Sequence, residues 1–248
     1  MKKILSIILT FLMCSIVYAA DNKTIRFGTE GTYPPFEYVD ESGELRGFDI
    51  DIAKALCKEM NAECKFHNQS FNSLIPSLKL GKFDAIIASI GVTAERQKQV
   101  SFTDAYYQPS GSFVAPVDKH YTLSDVNGKA VGVQLSTTME KYLQNKYRNK
   151  VKLKTYASIQ EAFLDLVAGR VDMVLADTPV AKAWLKQNNN TQYAIVDEPI
   201  IDAEYFGTGY GIAVNKKNTE LLNAMNAALV KIKANGTYEK IAKQYFGK

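Results

Sequence analysis

Two hydrophobic rhythms alternate along the chain. Short, β-branched apolar runs at 24–28, 85–88, 130–133, 151–156, 171–176 and 210–214 have the length of strands. Between and after them, apolar residues recur at helical spacing over 48–59, 74–79, 138–146, 158–168, 219–234 and 237–245, with Gly236 separating the last two stretches. Cys64-Lys65-Phe66 adds a strand to the first series, which reads strand, helix, strand, helix, strand. After Pro116 the series restarts with nearly the same order. A repeated βαβαβ pattern predicts two doubly wound α/β lobes rather than one large domain. The C-terminal strand and helices belong to one lobe, so two extended crossings join the pair, and paired crossings make a hinge. The expected bounds are 20–108 with 204–248 for the first lobe and 109–203 for the second, with crossings near 108–110 and 198–206.

The first nineteen residues stand apart from this pattern. Lys2 and Lys3 precede an uncharged apolar stretch over 4–17, and Val17-Tyr18-Ala19 offers a small-residue cleavage site. That layout is a secretory signal, with the cut expected after Ala19 and the protein destined for the periplasm. No later stretch approaches the roughly 20 apolar residues of a spanning helix. Cys14 is a poor lipid-attachment residue because the bulky Met13 precedes it. Removing Lys2 and Lys3 lowers the formal charge from +4 to +2. The remaining lysines are dispersed and no basic stripe carries interleaved aromatics, which excludes nucleic acid as a partner. Cys57 and Cys64 remain, and in an oxidising compartment they are expected to pair and tie a helix end to the next strand. Two free buried thiols are the alternative. His67 and His120 lie far apart and no Cys/His spacing suits zinc, so neither a metal nor a cofactor is implied.

The segment from Phe83 to Arg96 is the most suggestive for function. An apolar run fit for an interior parallel strand breaks into small residues, including Ser89 and Gly91, and then presents one arginine. Ligands of open α/β sheets bind beyond the carboxyl ends of the strands, where small residues expose backbone groups. A guanidinium there grips a carboxylate with two parallel hydrogen bonds, which a lysine does not. Taken alone, a solvated surface arginine is an equally good reading.

Several ordered blocks extend the pattern: Gly28-Thr29-Glu30-Gly31-Thr32-Tyr33-Pro34-Pro35-Phe36, Gly47-Phe48-Asp49-Ile50-Asp51, Leu74-Ile75-Pro76-Ser77-Leu78, Thr93-Ala94-Glu95-Arg96, Phe102-Thr103-Asp104 and Gly236-Thr237-Tyr238. From Ile25 to Phe246 the chain resembles the polar amino acid-binding proteins of ABC importers, which have the bilobed type II periplasmic binding fold. Phe71-Asn72-Ser73-Leu74-Ile75-Pro76, Ala183-Trp184-Leu185-Lys186 and Tyr205-Phe206-Gly207-Thr208-Gly209 bring it nearest to the arginine-binding and lysine/arginine/ornithine-binding members. The cysteine pair looks like the disulfide of histidine- and lysine/arginine/ornithine-binding members.

The resemblance implies a monomer that captures a basic L-amino acid, arginine first among them, and delivers it to a membrane permease. A zwitterion needs a fixed cation and a fixed anion. Arg96 matches the residue for the α-carboxylate, helped by the backbone N–H of Thr138 at a helix N-terminus. Asp177 matches the acceptor for the α-ammonium; without that match, a cap on the helix that follows is the lesser alternative, given Pro179 just after. Glu30, Tyr33, Phe71 and Gln134 match the side-chain pocket, with two rings suited to a guanidinium and Glu30 opposite its charge. The alternative makes Tyr33 and Phe71 core aromatics and leaves Glu30 exposed. Two departures stand out: Gly91 replaces a common hydroxyl or acid, and Ala88 replaces a common serine before Ser89, so the ammonium is expected to lean on Asp177. A first-lobe acid also occurs in glutamine-binding relatives. A dehydratase-type enzyme on the same fold and a membrane sensor in place of the importer are the other readings, but no histidine or nucleophile motif accompanies these acids.

Overall fold

The computed structural model describes residues 23–187 and 191–247. The signal sequence and its cut after Ala19 lie outside the described residues.

The first lobe opens with β1 (Lys23–Thr29), and a small antiparallel sheet of β2 (Thr32–Tyr33), β3 (Glu37–Val39) and β4 (Leu45–Arg46) follows it. Next come α1 (Phe48–Glu59), β5 (Ala62–Asn68), α2 (Phe71–Lys79), β6 (Ala85–Ile86), α3 (Ala94–Gln97) and β7 (Ser101–Phe102). The second lobe contains β8 (Gly111–Pro116), β9 (Ala130–Gln134), α4 (Thr138–Lys146), β10 (Lys152–Tyr156), α5 (Ile159–Val167), β11 (Met173–Asp177), α6 (Thr178–Gln187) and β12 (Tyr193–Ile200). The chain ends with α7 (Ala203–Phe206), β13 (Ala213–Val214), α8 (Thr219–Ala234) and α9 (Thr237–Phe246).

Two five-stranded sheets result, ordered β5-β1-β6-β13-β7 and β10-β9-β11-β8-β12. In each, three strands run parallel and the fourth is antiparallel to its neighbour. The expected interior parallel strand at 85–88 is therefore corrected: β6 is parallel to β1 on one side and antiparallel to β13 on the other, because the C-terminal segment returns to that sheet. The chain passes from the first sheet to the second between β7 and β8 and returns between β12 and β13.

Local chemistry sets the elements near the cleft. Gly47 has φ 126°, and a Cβ there would sit 2.1 Å from the Phe36 carbonyl, so only glycine lets α1 start where it does. Asp49 and Asp51 in the first turn and Lys58 in the last complement the helix dipole. Phe48 packs edge-on against Phe36 and Tyr107 and fixes the height of Asp49 in the core. Thr137 caps α4 and a Ser158–Glu161 capping box starts α5. Cys57 and Cys64 are joined, with Cα atoms 5.9 Å apart, linking the end of α1 to β5. Among the described residues no helix is long and apolar enough to cross a membrane, and no group of three His, Cys, Asp or Glu could hold a metal.

Candidate ligand-binding site

The carboxyl ends of four strands meet at the cleft. Glu30 follows β1, Ala88 and Ser89 lie just beyond β6, Gln134 ends β9 and Asp177 ends β11. Tyr33 comes from β2, Phe71 opens α2, Arg96 lies on α3 and Thr138 opens α4. These nine residues line one cavity, together with Glu37, Thr137 and Met139. Gly91, the tenth expected residue, does not line it. Its carbonyl accepts Arg96 Nη1 at 3.0 Å, and a Cβ there would stand 2.8 Å from the Phe206 carbonyl. The missing hydroxyl or acid thus coincides with a place where chain packs on chain.

Arg96 is the cation of the site. Its second nitrogen, Nη2, donates to the Ser136 carbonyl at 3.0 Å, across the lobes, and its guanidinium lies 5.3 Å from the centre of the Phe71 ring. Among the described residues it makes no ion pair. Burial lowers its pKa to about 10, with Tyr210 and Asp177 acting the other way, so it stays charged at neutral pH. A half-buried guanidinium that spends its donors only on carbonyls favours an incoming carboxylate. The solvated-surface reading of Arg96 does not describe this geometry.

Asp177 faces it from the other lobe, 6% exposed. Oδ2 accepts from the Tyr33 hydroxyl at 2.5 Å, while Oδ1 has no partner of proper hydrogen-bond geometry, although the Tyr210 hydroxyl is near enough to favour the ionised form. Burial pushes the carboxyl up to about 6, against the pull of Tyr210, Tyr33 and Arg96.

At the other end, Glu30 is 4% exposed and both its oxygens accept from Gln134 Nε2, at 2.9 and 2.8 Å. The Thr32 hydroxyl adds a third contact at 3.1 Å. Burial raises Glu30, while Gln134, Thr32 and the Phe71 backbone pull it back. The exposed-Glu30 alternative is thereby corrected: the turn after β1 folds the acid inward. Tyr33 serves both readings, stacked on Phe36 at 6.4 Å within the core while its hydroxyl reaches Asp177. Phe71 pairs with Arg96 rather than facing Tyr33 alone.

Sequence reasoning missed Glu37, Thr137, Met139 and the carbonyl of Ser136. Glu37 directly follows the block ending at Phe36, and the other three flank Thr138, so adjacency to the motifs was the available signal.

Known proteins resemble the chain over nearly its whole length. The chain is 48% identical to the ABC transporter arginine-binding protein 1 of Escherichia coli (strain K12) over 99% of both chains. The solved periplasmic binding protein of Salmonella typhimurium described as having high arginine specificity superposes with a TM-score of 0.86 at 46% identity, covering 90% of this chain and 99% of that one. An ancestral arginine-binding protein bound to glutamine superposes with a TM-score of 0.84 at 43% identity, covering 92% and 99%. The model of the bacterial extracellular solute-binding proteins, family 3, matches residues 25–248, and the chain belongs to that family.

Proposed function

We propose that this protein is the periplasmic solute-binding component of an ABC importer that captures L-arginine between its lobes and hands it to a membrane permease, without chemistry on the ligand. One observation carries the reading: a single cavity holds Arg96, a cation without an acid partner, opposite Asp177, an acid with an unsatisfied oxygen, with Glu30 at the far end. A zwitterion bearing a second cation is complementary to that charge order. Arg96 and the amide of Thr138 would hold the α-carboxylate, Asp177 with the backbone at Ser89 the α-ammonium, and Glu30, between Tyr33 and Phe71, the guanidinium. The arginine-binding relatives support the same ligand. In this reading 1–19 is a removed signal, 20–108 and 204–248 form the first lobe, and 109–203 the second.

Glutamine is the second reading. The Gln134 amide satisfies both oxygens of Glu30, so a neutral amide suits that acid, and the ancestral relative is bound to glutamine. A thermal-shift screen of the twenty L-amino acids separates the two. A ligand at a hundred times its Kd adds about 2.7 kcal/mol, worth several degrees here. Arginine is expected to give the largest rise. No rise with arginine, beside a clear one with glutamine, would favour the second reading.

A further inference from the structure

On the first-lobe side of the cavity lie two carboxyls that the ligand reading leaves unused. Glu37 opens β3 and is 1% exposed, while Asp49 sits in the first turn of α1 and is fully buried. Their side chains are in hydrogen-bond contact. Both also hold Ser89, whose N–H donates to Asp49 Oδ2 at 2.7 Å and whose hydroxyl donates to Glu37 Oε2 at 3.3 Å. Ser89 has φ 47°, in the left-handed region that a serine seldom adopts, so these contacts fix a strained residue at the cavity wall.

The surroundings of the pair are acidic or phenolic. Glu30 acts on Glu37 from the end of β1, and Tyr33 from β2. Tyr106 donates to Asp49 Oδ2 at 2.8 Å from the segment after β7, with Tyr107 beside it and Tyr238 on α9 also within electrostatic reach of Asp49. Among the described residues neither carboxyl makes an ion pair, and Asp49 Oδ1 has no hydrogen-bond donor. Two buried anions in contact without a cation repel strongly. One proton removes that repulsion and supplies the missing donor.

We propose that Glu37 and Asp49 share a single proton at neutral pH and act together as the positioning element that fixes Ser89 at the ammonium corner of the cavity. Asp49 Oδ2 already accepts from both the Ser89 N–H and the Tyr106 hydroxyl, whereas Glu37 accepts only the longer Ser89 hydroxyl bond, so Glu37 carries the proton and Asp49 remains the acceptor for Ser89 and Tyr106. Glu37 then faces the cavity as a neutral group, its one proton given to Asp49. A cationic ligand meets two carboxylates, Glu30 and Asp177, rather than three.

The ligand half of this proposal rests on the amino acid-binding reading; the proton half does not. In protein labelled with ¹³C at glutamate carboxyls, the Glu37 signal is identified by its loss in Glu37→Gln. It is expected to be protonated at pH 7 and to titrate well above the ordinary glutamate range, and an ordinary titration would overturn the shared proton. Calorimetry then follows L-arginine affinity against pH in the wild type, Glu37→Ala and Glu37→Gln. Alanine removes the donor to Asp49 and is expected to weaken binding by about tenfold, the scale of a hydrogen bond to a charged group. Arginine binding by the wild type is expected to weaken on the alkaline side as Glu37 loses its proton. Glutamine keeps a donor without a titration, so it is expected to restore most of the alanine loss and to reduce that alkaline weakening. The ligand's own ammonium titration is common to all three proteins. Equal losses for alanine and glutamine, or an unchanged alkaline limb in Glu37→Gln, would overturn the positioning role. A wild type that binds no arginine contradicts the arginine reading alone, and the carboxyl titration still decides the proton.

Discussion

Asp177 and Glu30 are buried acids at opposite ends of one cavity, and their surroundings give them different tasks. Asp177, raised to about 6, must be ionised to accept from an ammonium, so protons compete with the ligand as pH falls through that value. Arginine affinity, followed calorimetrically, is expected to be nearly flat between pH 7 and 8 and to fall below about pH 6, approaching tenfold per unit. For folding the sign runs the other way: a carboxyl with a raised folded-state pKa contributes stability below its ordinary pKa and loses it as pH rises through about 6. Glu30 is expected to read charge. Glu30→Gln keeps the shape of the side chain and removes its charge, so arginine should weaken by roughly 1.5–3 kcal/mol while glutamine changes little, which titration of both ligands measures. Arg96, Asp177 and Glu30 were legible because fixed charge beside motif glycines and small residues has few structural uses. Glu37 was not, since a carboxyl next to a motif carries no sign of whether it turns inward or out.

At the scale of elements, legibility followed length. Helices α1, α4 and α8 begin and end where their periodicity does, and the capping residues Thr137 and Ser158 sit at the starts they mark. The two- and three-residue strands β2 to β4 are too short to show any period, and α6 and β12 flank a polar, asparagine-rich stretch that hides both. Helix α2 starts three residues before the expected stretch at 74–79, because Ser70 precedes the first turn and Phe71 turns toward the cavity. The link between α1 and β5 closes a loop of sequence separation 7. So short a loop contributes about 2 kcal/mol. Replacing both Cys57 and Cys64 by serine is expected to lower the melting temperature by roughly 4–8 °C, read by calorimetric scanning, with little change in arginine affinity because neither lines the cavity.

At the scale of the molecule, the βαβαβ series and its restart correspond to the two sheets, whereas the way the lobes meet could not be read from local pattern. Closure is written in contacts between residues more than a hundred positions apart: Tyr33 with Asp177, Glu30 with Gln134, and Gln160 with the Thr32 carbonyl. Arg96 reaches Ser136, and Glu95 beside it pairs with Lys141 on α4. In the proposed reading, a ligand held by Arg96 on one side and Asp177 on the other stabilises the closed arrangement through contacts that only closure provides. Removing the cation should therefore abolish binding rather than trim it: Arg96→Ala is expected to cost roughly 3–5 kcal/mol, the scale for breaking a buried charge pair, and Arg96→Lys to recover little of it. The most direct measurement is titration calorimetry of L-arginine into the wild type and into folded Arg96→Ala. The account predicts saturable binding of one arginine per wild-type chain and a loss of at least a hundredfold in the variant; equal affinity in the two proteins, or no binding to the wild type, would contradict it.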